Sequence, residues 1–560
     1  MSYVDEYPDD AKLVRWTFAV AFVALGVGGL FGLIQALHRT GAFRGVVSST
    51  DYYSLLTGHG VFLVLVFTTF FIAGLFTWGT SKSLGRELPN PRLKRVWFGT
   101  MLLGTLLAGS AILGGLFGLG DFRADVLYTF YTPMKAHPAF YAGAVFIIVG
   151  SWIAGANYFL AYREWRKDNP GERIPLMAFM IMATFLMWYL SSIGIAVQVL
   201  VFVLPWSLGL VSQVDPLLTR TLFWYFGHPV VYFWLLPAYV VWYAIFPKLS
   251  GGRLVSDPLA RVVFILFLLL STPTGFHHQY LDPGIPEEFK AVAMVNTMFL
   301  LLPSLLTAFT VVASMEHGAR QRGARGWLNW LRELPWDDPA FSGVALAGLL
   351  FAAGGFSGMV NAGMNLNYVV HNTAWVPGHF HLTVGTAFAL TAMAVSYWLV
   401  PQITGKPLRG RTAAIVQPYL WFLGMTLMSN ALHRAGIAGV PRRTAEPEFN
   451  QFPIGFEGIV GGIAEMRLQI AVGGVVLFVS LALFLWSMAL TWYGDRGGQL
   501  SVNGDIPDPL SGPEHAPLVL DNLRLWLAIA IVLVVLAYTL PLWGMVSDGL
   551  FQPGSPPIPV

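Results

Sequence analysis

Apolar runs long enough to cross about 30 Å of hydrocarbon alternate with short polar stretches along the whole chain. They are read near Trp16–Leu37, Leu56–Trp78, Trp97–Leu119, Ala139–Tyr162 and Ile174–Leu204. The series continues near Leu222–Phe246, Ala260–Tyr280, Ala291–Met315, Ala340–Met364 and Trp375–Val400, and ends with Ala414–Ala438, Ile470–Tyr493 and Leu523–Val546. This pattern predicts an all-α polytopic membrane protein of about thirteen transmembrane helices. They form a single domain over residues 1–560, with spans from about 16 to 546. No internal repeat interrupts the series, and its one low-complexity piece is the Pro-rich tail GSPPIPV.

Composition strengthens that reading. The 560 residues are 55% hydrophobic and 11% charged, whereas a soluble domain carries about 25% charged residues. Such a chain cannot cover its own surface with polar groups, so the lipid bilayer is its expected solvent. A formal charge of +3 gives no reason to expect a nucleic acid partner. The absence of cysteine excludes disulfides, thiolate metal sites and Cys-ligated iron–sulfur clusters. The N-terminal MSYVDEYPDDAKL is acidic and polar, unlike a cleavable signal peptide.

Loop charge predicts topology. Lys82, Arg86, Arg92, Lys94 and Arg95 follow the second span, and Arg163, Arg166, Lys167 and Arg173 follow the fourth. Arg320, Arg322, Arg325 and Arg332 follow the eighth span, and Lys406, Arg409 and Arg411 follow the tenth. The positive-inside rule then places the N-terminus in the cytoplasm and the C-terminus outside. Arg434, Arg442 and Arg443, after the eleventh span, fall on the other side, where anionic ligands would explain them.

Six of the twelve histidines lie within or at the ends of apolar spans: His59 (LTGHGVF), His228 (FGHPVVY), His277 and His278 (TGFHHQY), and His379 and His381 (PGHFHLT). Under the predicted topology all six sit in the outer part of the membrane. A lone histidine in such a helix can simply bond a neighbour; six at one depth on four spans point to metal chemistry. Residues two apart on a helix point about 200° from each other, so His379 and His381 serve centres on opposite sides. His228 and Tyr232, four apart, share a face. Imidazole nitrogen suits iron and copper. His38, His137, His317, His433 and His515 lie in loops or near span ends and are assigned no metal.

WYFGHPVVYFWLLP, STPTGFHHQY and HNTAWVPGHFHLTVG together resemble subunit I of the haem–copper oxidases, and the resemblance covers essentially all the spans. It implies that His59 and His381 are axial ligands of a low-spin haem, and His379 the proximal ligand of a high-spin haem. It likewise implies that His228, His277 and His278 hold the copper called CuB, with Tyr232 cross-linked to His228 and oxidised during catalysis. Arg442 and Arg443 resemble the pair that holds haem propionates. The activity implied is reduction of O2 to water, coupled to proton translocation. The implied electron donor is cytochrome c, by way of a subunit II with a dinuclear copper centre, in a bacterial or archaeal cytoplasmic membrane. A quinol-fed oxidase and a nitric oxide reductase are the alternatives. The second is disfavoured by Tyr232 and by Val230, since those reductases usually lack the tyrosine and carry acidic residues near a non-haem iron.

Departures from the family pattern narrow the resemblance. The A-type branch has a Glu where this chain has Val230, and an Asp where it has Asn372 after His371, a position at which magnesium binds. The B-type branch, with thirteen spans and one proton pathway, is more similar. Its pathway matches Ser256, Tyr243, Tyr239, Thr310, Thr307, Ser304 and Thr297, leading to Tyr232. Asn367 stands where B-type members carry a carboxylate near a propionate, which leaves His371 as the proton-loading candidate. Independently of the resemblance, the spacings of seven, three and three from Thr297 to Thr310 keep these hydroxyls on one helical face. A hydroxyl in a membrane helix often only bonds its own helix; several on one face that end at a phenol suggest a proton relay.

Overall fold

A computed structural model describes residues 2–445, 461–496 and 504–547. Among these residues there is no strand, only isolated bridges at Ser256–Ser511 and Thr373–Pro441. Long helices run as α1 (Pro8–His38), α2 (Ser49–Leu84), α3 (Pro91–Leu116), α4 (Pro138–Asp168), α5 (Leu176–Ser207) and α6 (Pro216–Leu249). Next come α7 (Asp257–Gln279), α8 (Glu287–Gln321), α9 (Pro339–Ala362) and α10 (Trp375–Thr404), then α11 (Arg411–Ile437), α12 (Ile463–Tyr493) and α13 (Leu523–Ser547).

Twelve of these helices are long and apolar enough to cross a membrane. The other, α11, is 27 residues long and is diluted by Gln417, Asn430, His433 and Arg434, which turn toward neighbouring groups. Most helices extend past the apolar runs that predict them, because their caps are polar: Asn90, Asp215, Ser256 and Asp338 each accept backbone amides at a helix start. The polar face at each end is still helix.

Two spans differ from the expected continuous helix. In α7 the regular α-helix ends at Ser271, and the His pair sits on a 3-10 turn at Phe276–Gln279. Pro273 has no amide to donate and restricts Thr272, and Gly275 comes two residues later. In α8 the helix is interrupted at Leu300, between Glu287–Phe299 and Leu301–Gln321.

Alternation of direction puts the loops after α2, α4, α6, α8, α10 and α12 on the face that bears the N-terminus. The His-bearing ends of α2, α6, α7 and α10 lie toward the opposite face. Among the described residues four stretches are π-helix, at Val61–Phe67, Gln198–Val203, Val241–Ile245 and Thr383–Phe388. Two begin within two residues of His59 and His381, and a third contains Tyr243. Each adds a residue to a turn and so re-aims the rest of its helix, a device that recurs at functional sites.

Candidate metal and haem centre

α6 and the turn that ends α7 bring His228, His277 and His278 together. Each offers a ring nitrogen, and these atoms all lie within 4.8 Å of one another. His228 Nδ1 is 3.2 Å from His278 Nε2, and the His228 and His277 rings meet edge-on at 4.3 Å. Trp224 lies flat on His278, 3.8 Å between centroids, and Thr297 Oγ1 is 3.2 Å from His277 Nδ1. His228 and His277 are buried and His278 is half-buried, and the three imidazoles form a nitrogen-only site suited to copper, iron or zinc. His228 Nε2 is buried with no partner among the described residues. One turn along α6, the Tyr232 ring is 4.7 Å from the His228 ring.

His379 and His381 open to different sides of α10. His381 faces His59 across a gap, with the rings near parallel (20°) and 6.1 Å apart. That pair lines a cavity of about 320 Å³. His379 lines a separate cavity of about 1120 Å³, together with His228, His277, His278 and Tyr232. Each of the three rings has its Nδ1 tied back to the protein: His59 to Gly28 O at 2.9 Å, His381 to Pro377 O at 2.7 Å, and His379 to Gly354 O and Ser357 Oγ, both at 3.0 Å. That fixes the tautomer and leaves Nε2 for a metal. Glycines make room for the rings. A Cβ on Gly32 would lie 2.7 Å from the His59 ring, and one on Gly358 would lie 2.9 Å from His379.

Arg442 and Arg443 line both cavities. The loop after α11 is clasped to the loop after α9: Ala374 N donates to Val440 O at 2.8 Å, and Arg442 N to Asn372 O at 3.1 Å. Asn372 takes φ +56°, a left-handed conformation that asparagine tolerates better than most residues. Tyr53 Oη holds the Arg443 carbonyl (3.1 Å) and Arg39 the Arg442 carbonyl (2.9 Å). Burial, with Arg443 alongside, pushes the Arg442 guanidinium down to about 9, and its buried Nε has no protein partner among the described residues. Two half-buried guanidiniums side by side are what anionic carboxylates would relieve. The residues therefore fit haems with propionates at this level, and a nitrogen-bound copper beside His228.

His371 and Asn372 line the larger cavity. Asn367 Oδ1 is 3.0 Å from His371 Nδ1, and its Nδ2 donates to Asn361 O at 2.7 Å. Burial and then Arg442, Arg220 and Arg443 hold the His371 imidazole down to about 4, so the ring is neutral at physiological pH.

The predicted hydroxyls form linked pairs. Tyr239 donates to Ser304 Oγ at 3.1 Å, and Tyr243 to Thr307 Oγ1 at 2.8 Å. Thr297, Ser304 and Thr307 reach the larger cavity, as Tyr232 does. Thr310 is buried and bonds its own helix at Leu306 O (2.8 Å), and Ser256 caps α7. Sequence reasoning missed the groups that orient the histidines, Ser357 and the carbonyls of Gly28, Gly354 and Pro377, and it missed Arg39, which holds the Arg442 carbonyl. Only the small residues opposite His59 and His379 hint at them in the sequence.

The family described as cytochrome c and quinol oxidase polypeptide I matches residues 12–476. The chain belongs to this family. It is similar to cytochrome c oxidase subunit 1 of Thermus thermophilus, 43% identical over 548 residues, covering 95% of this chain and 94% of the relative. Cytochrome c oxidase polypeptide 1 of Halobacterium salinarum is 24% identical over 84% of this chain and 76% of its own length. A solved haem–copper terminal oxidase dimer superposes with a TM-score of 0.88 at 36% identity, covering 97% of this chain and 94% of that one. The chain is the catalytic subunit of a respiratory haem–copper oxidase, a multi-pass membrane protein that works in a complex with other subunits. Membership implies haem and CuB, and the His228–His277–His278 cluster is compatible with the copper.

Proposed function

We propose that this oxidase is a B-type cytochrome c oxidase of a bacterial or archaeal cytoplasmic membrane, with its N-terminus cytoplasmic and its C-terminus outside. Cytochrome c is the donor, by way of a subunit II bearing a dinuclear copper centre. His59 and His381 hold a low-spin haem, His379 a high-spin haem, and His228, His277 and His278 hold CuB. When bound, these groups supply electron transfer and the binding and reduction of O2 to water.

The chain's own residues do the rest. The tied Nδ1 atoms hold each imidazole in one tautomer, and the apolar walls keep bulk water from the larger cavity. Arg442 and Arg443 bind propionates between the two centres, and Tyr232 gives an electron and its hydroxyl proton to the reaction. His371, held by Asn367, takes the proton to be translocated. With Val230 in place of an acid, protons take one route, along Ser256, Thr310, Tyr243, Thr307, Tyr239 and Ser304 to Tyr232, with Thr297 beside His277. Each charge moved works against about 2.3 kcal/mol per 100 mV.

The observation that carries this reading is the partition of the histidines into a facing pair, a separate fourth ring and a three-nitrogen cluster. A visible spectrum of the purified complex tests it. Soret absorption from two haem environments is expected, with copper near one atom per chain beyond any held by partner subunits. A colourless preparation would exclude the reading.

The route carries its own expected result. Thr307→Val keeps the volume and removes the hydroxyl that accepts from Tyr243, so haem content should be unchanged while turnover falls by on the order of tenfold or more. Full oxygen consumption with full proton uptake from the N-terminal side would mean that protons travel elsewhere.

A further inference from the structure

Below the Tyr243–Thr307 pair, α8 carries its buried polar stripe on to the N-terminal face. Beyond Thr307 and Thr310 come Ser314, which is 1% exposed, and then half-buried His317 at the surface. The spacings of three, four and three keep all four on one side of the helix.

The loop after α6 lies directly on this stripe, because two glycines let backbone meet backbone. A Cβ on Gly252 would lie 2.7 Å from both Gly318 N and Ser314 O, and one on Gly318 would lie 2.8 Å from Gly252 N. The contact aims the loop's amides at the two side chains. Val255 N donates to Ser314 Oγ at 3.1 Å, and Arg253 N donates to His317 Nδ1 at 3.3 Å. Ser314 Oγ donates in turn to Thr310 O at 2.7 Å.

From the other side a strap of residues 504–511 fixes the same loop. Leu510 N donates to Leu254 O (2.7 Å), Ser511 N to Val255 O (3.0 Å), and Asp257 N to Ser511 O (2.9 Å). Arg253 Nε reaches Asp508 O at 2.6 Å. Around His317 stand Arg253, the Glu316–Arg320 ion pair (2.6 Å) and the Gln321 amide, 3.4 Å from His317 Nε2. From solvent inward the order is therefore His317, Ser314, Thr310 and Thr307, with Val255, the residue before Ser256, bonded to Ser314.

We propose that His317 and Ser314 form the solvent end of the proton route, with His317 taking each proton from water and passing it toward Ser314. This rests on the reading of the route through Thr307 and Tyr243. An imidazole exchanges protons near neutral pH. Nδ1 receives the proton as it gives up the Arg253 amide and another proton leaves from Nε2, so the ring ends neutral and no further reactant is consumed. Ser314 hands it on through its hydroxyl or the water it orders.

The competing role for His317 is that of a loop anchor, since its Nδ1 accepts the Arg253 amide. His317→Asn separates the two, because asparagine can still accept that amide and cannot shuttle a proton. In the purified oxidase complex reconstituted in phospholipid vesicles, proton uptake is measured with a pH dye during a single turnover. His317→Ala and His317→Asn should both slow uptake from the N-terminal side by on the order of tenfold, with haem spectra unchanged, and added imidazole should restore much of the rate. His317→Asn at the wild-type rate, or a slowing that imidazole leaves untouched, would overturn the proposal. Failure of the underlying route looks different: Thr307→Val would then also run at full rate.

Discussion

His379→Ala is expected to remove the high-spin haem signal and all oxygen reduction while leaving the low-spin spectrum largely intact. His381→Ala should do the reverse to the spectra. The two residues are adjacent but one in sequence, and their rings open into different cavities: His381 faces His59 at 6.1 Å, and His379 faces the cluster of His228, His277 and His278. Each Nδ1 is tied to a different carbonyl, Pro377 for one and Gly354 for the other, so loss of one ring leaves the other's tautomer fixed. Each substitution deletes the imidazole that would hold its haem iron, so the loss at the affected centre should be near complete. Optical spectra of the two purified variants, with pyridine haemochrome counts, check it. Equal loss of both haems from a folded protein would show that the two cavities do not act as separate centres.

The sequence made the helices and the clustered histidines legible for the same reason. A bilayer core tolerates a polar side chain only where it has a partner, so apolar length marks the spans and a histidine within one marks chemistry. The two-residue spacing of His379 and His381 and the four-residue spacing of His228 and Tyr232 translate directly into faces, and the structure places them so. The 3-10 turn under His277 and His278 was less accessible. STPTGFHH falls inside the span read over Ala260–Tyr280, and the structure shows the helix ending at Ser271, before Pro273 and Gly275, with the pair turned toward α6.

Other features were hidden because no side-chain pattern encodes them. The carbonyls of Gly28, Gly354 and Pro377 orient three imidazoles, and a carbonyl has no residue-type signature. The π-helical turns after His59 and His381 add one residue to a turn within runs that look uniformly apolar. Ser314 continues a stripe already visible at Thr307 and Thr310. His317, however, reads as a loop histidine until the close approach of Gly252 and Gly318 is seen. α11 shows the opposite case: its polar residues lower its hydropathy below that of the other spans, yet Gln417 is fully buried and hydrogen-bonded to Tyr397 and Ser480. Burial against neighbours, and not exposure to lipid, decides what such a helix can carry.

Tyr232→Phe should nearly eliminate oxygen reduction in a protein that still binds both haems and copper. The ring sits 4.7 Å from His228 and 5.3 Å from Phe267, so phenylalanine keeps those contacts and the three clustered imidazoles should stay in place. What is lost is one oxygen atom and one O–H bond. No other residue of the three-histidine cluster is placed to supply that hydrogen: on the proposed reading the imidazoles would hold the copper, Trp224 is stacked flat on His278 at 3.8 Å, and Thr297 is engaged with His277 and with Ala293 O. A phenol can give up both an electron and a proton at one place, whereas a threonine hydroxyl can only pass a proton along. Turnover should therefore fall by two or more orders of magnitude, within the range that loss of a positioned proton donor can produce, with unchanged optical spectra and copper content. Loss of metal together with activity would assign Tyr232 to holding the cluster. Turnover near the wild-type rate would leave the phenol no part in the chemistry, and the proton route drawn toward it would need another terminus among the residues that line the same cavity.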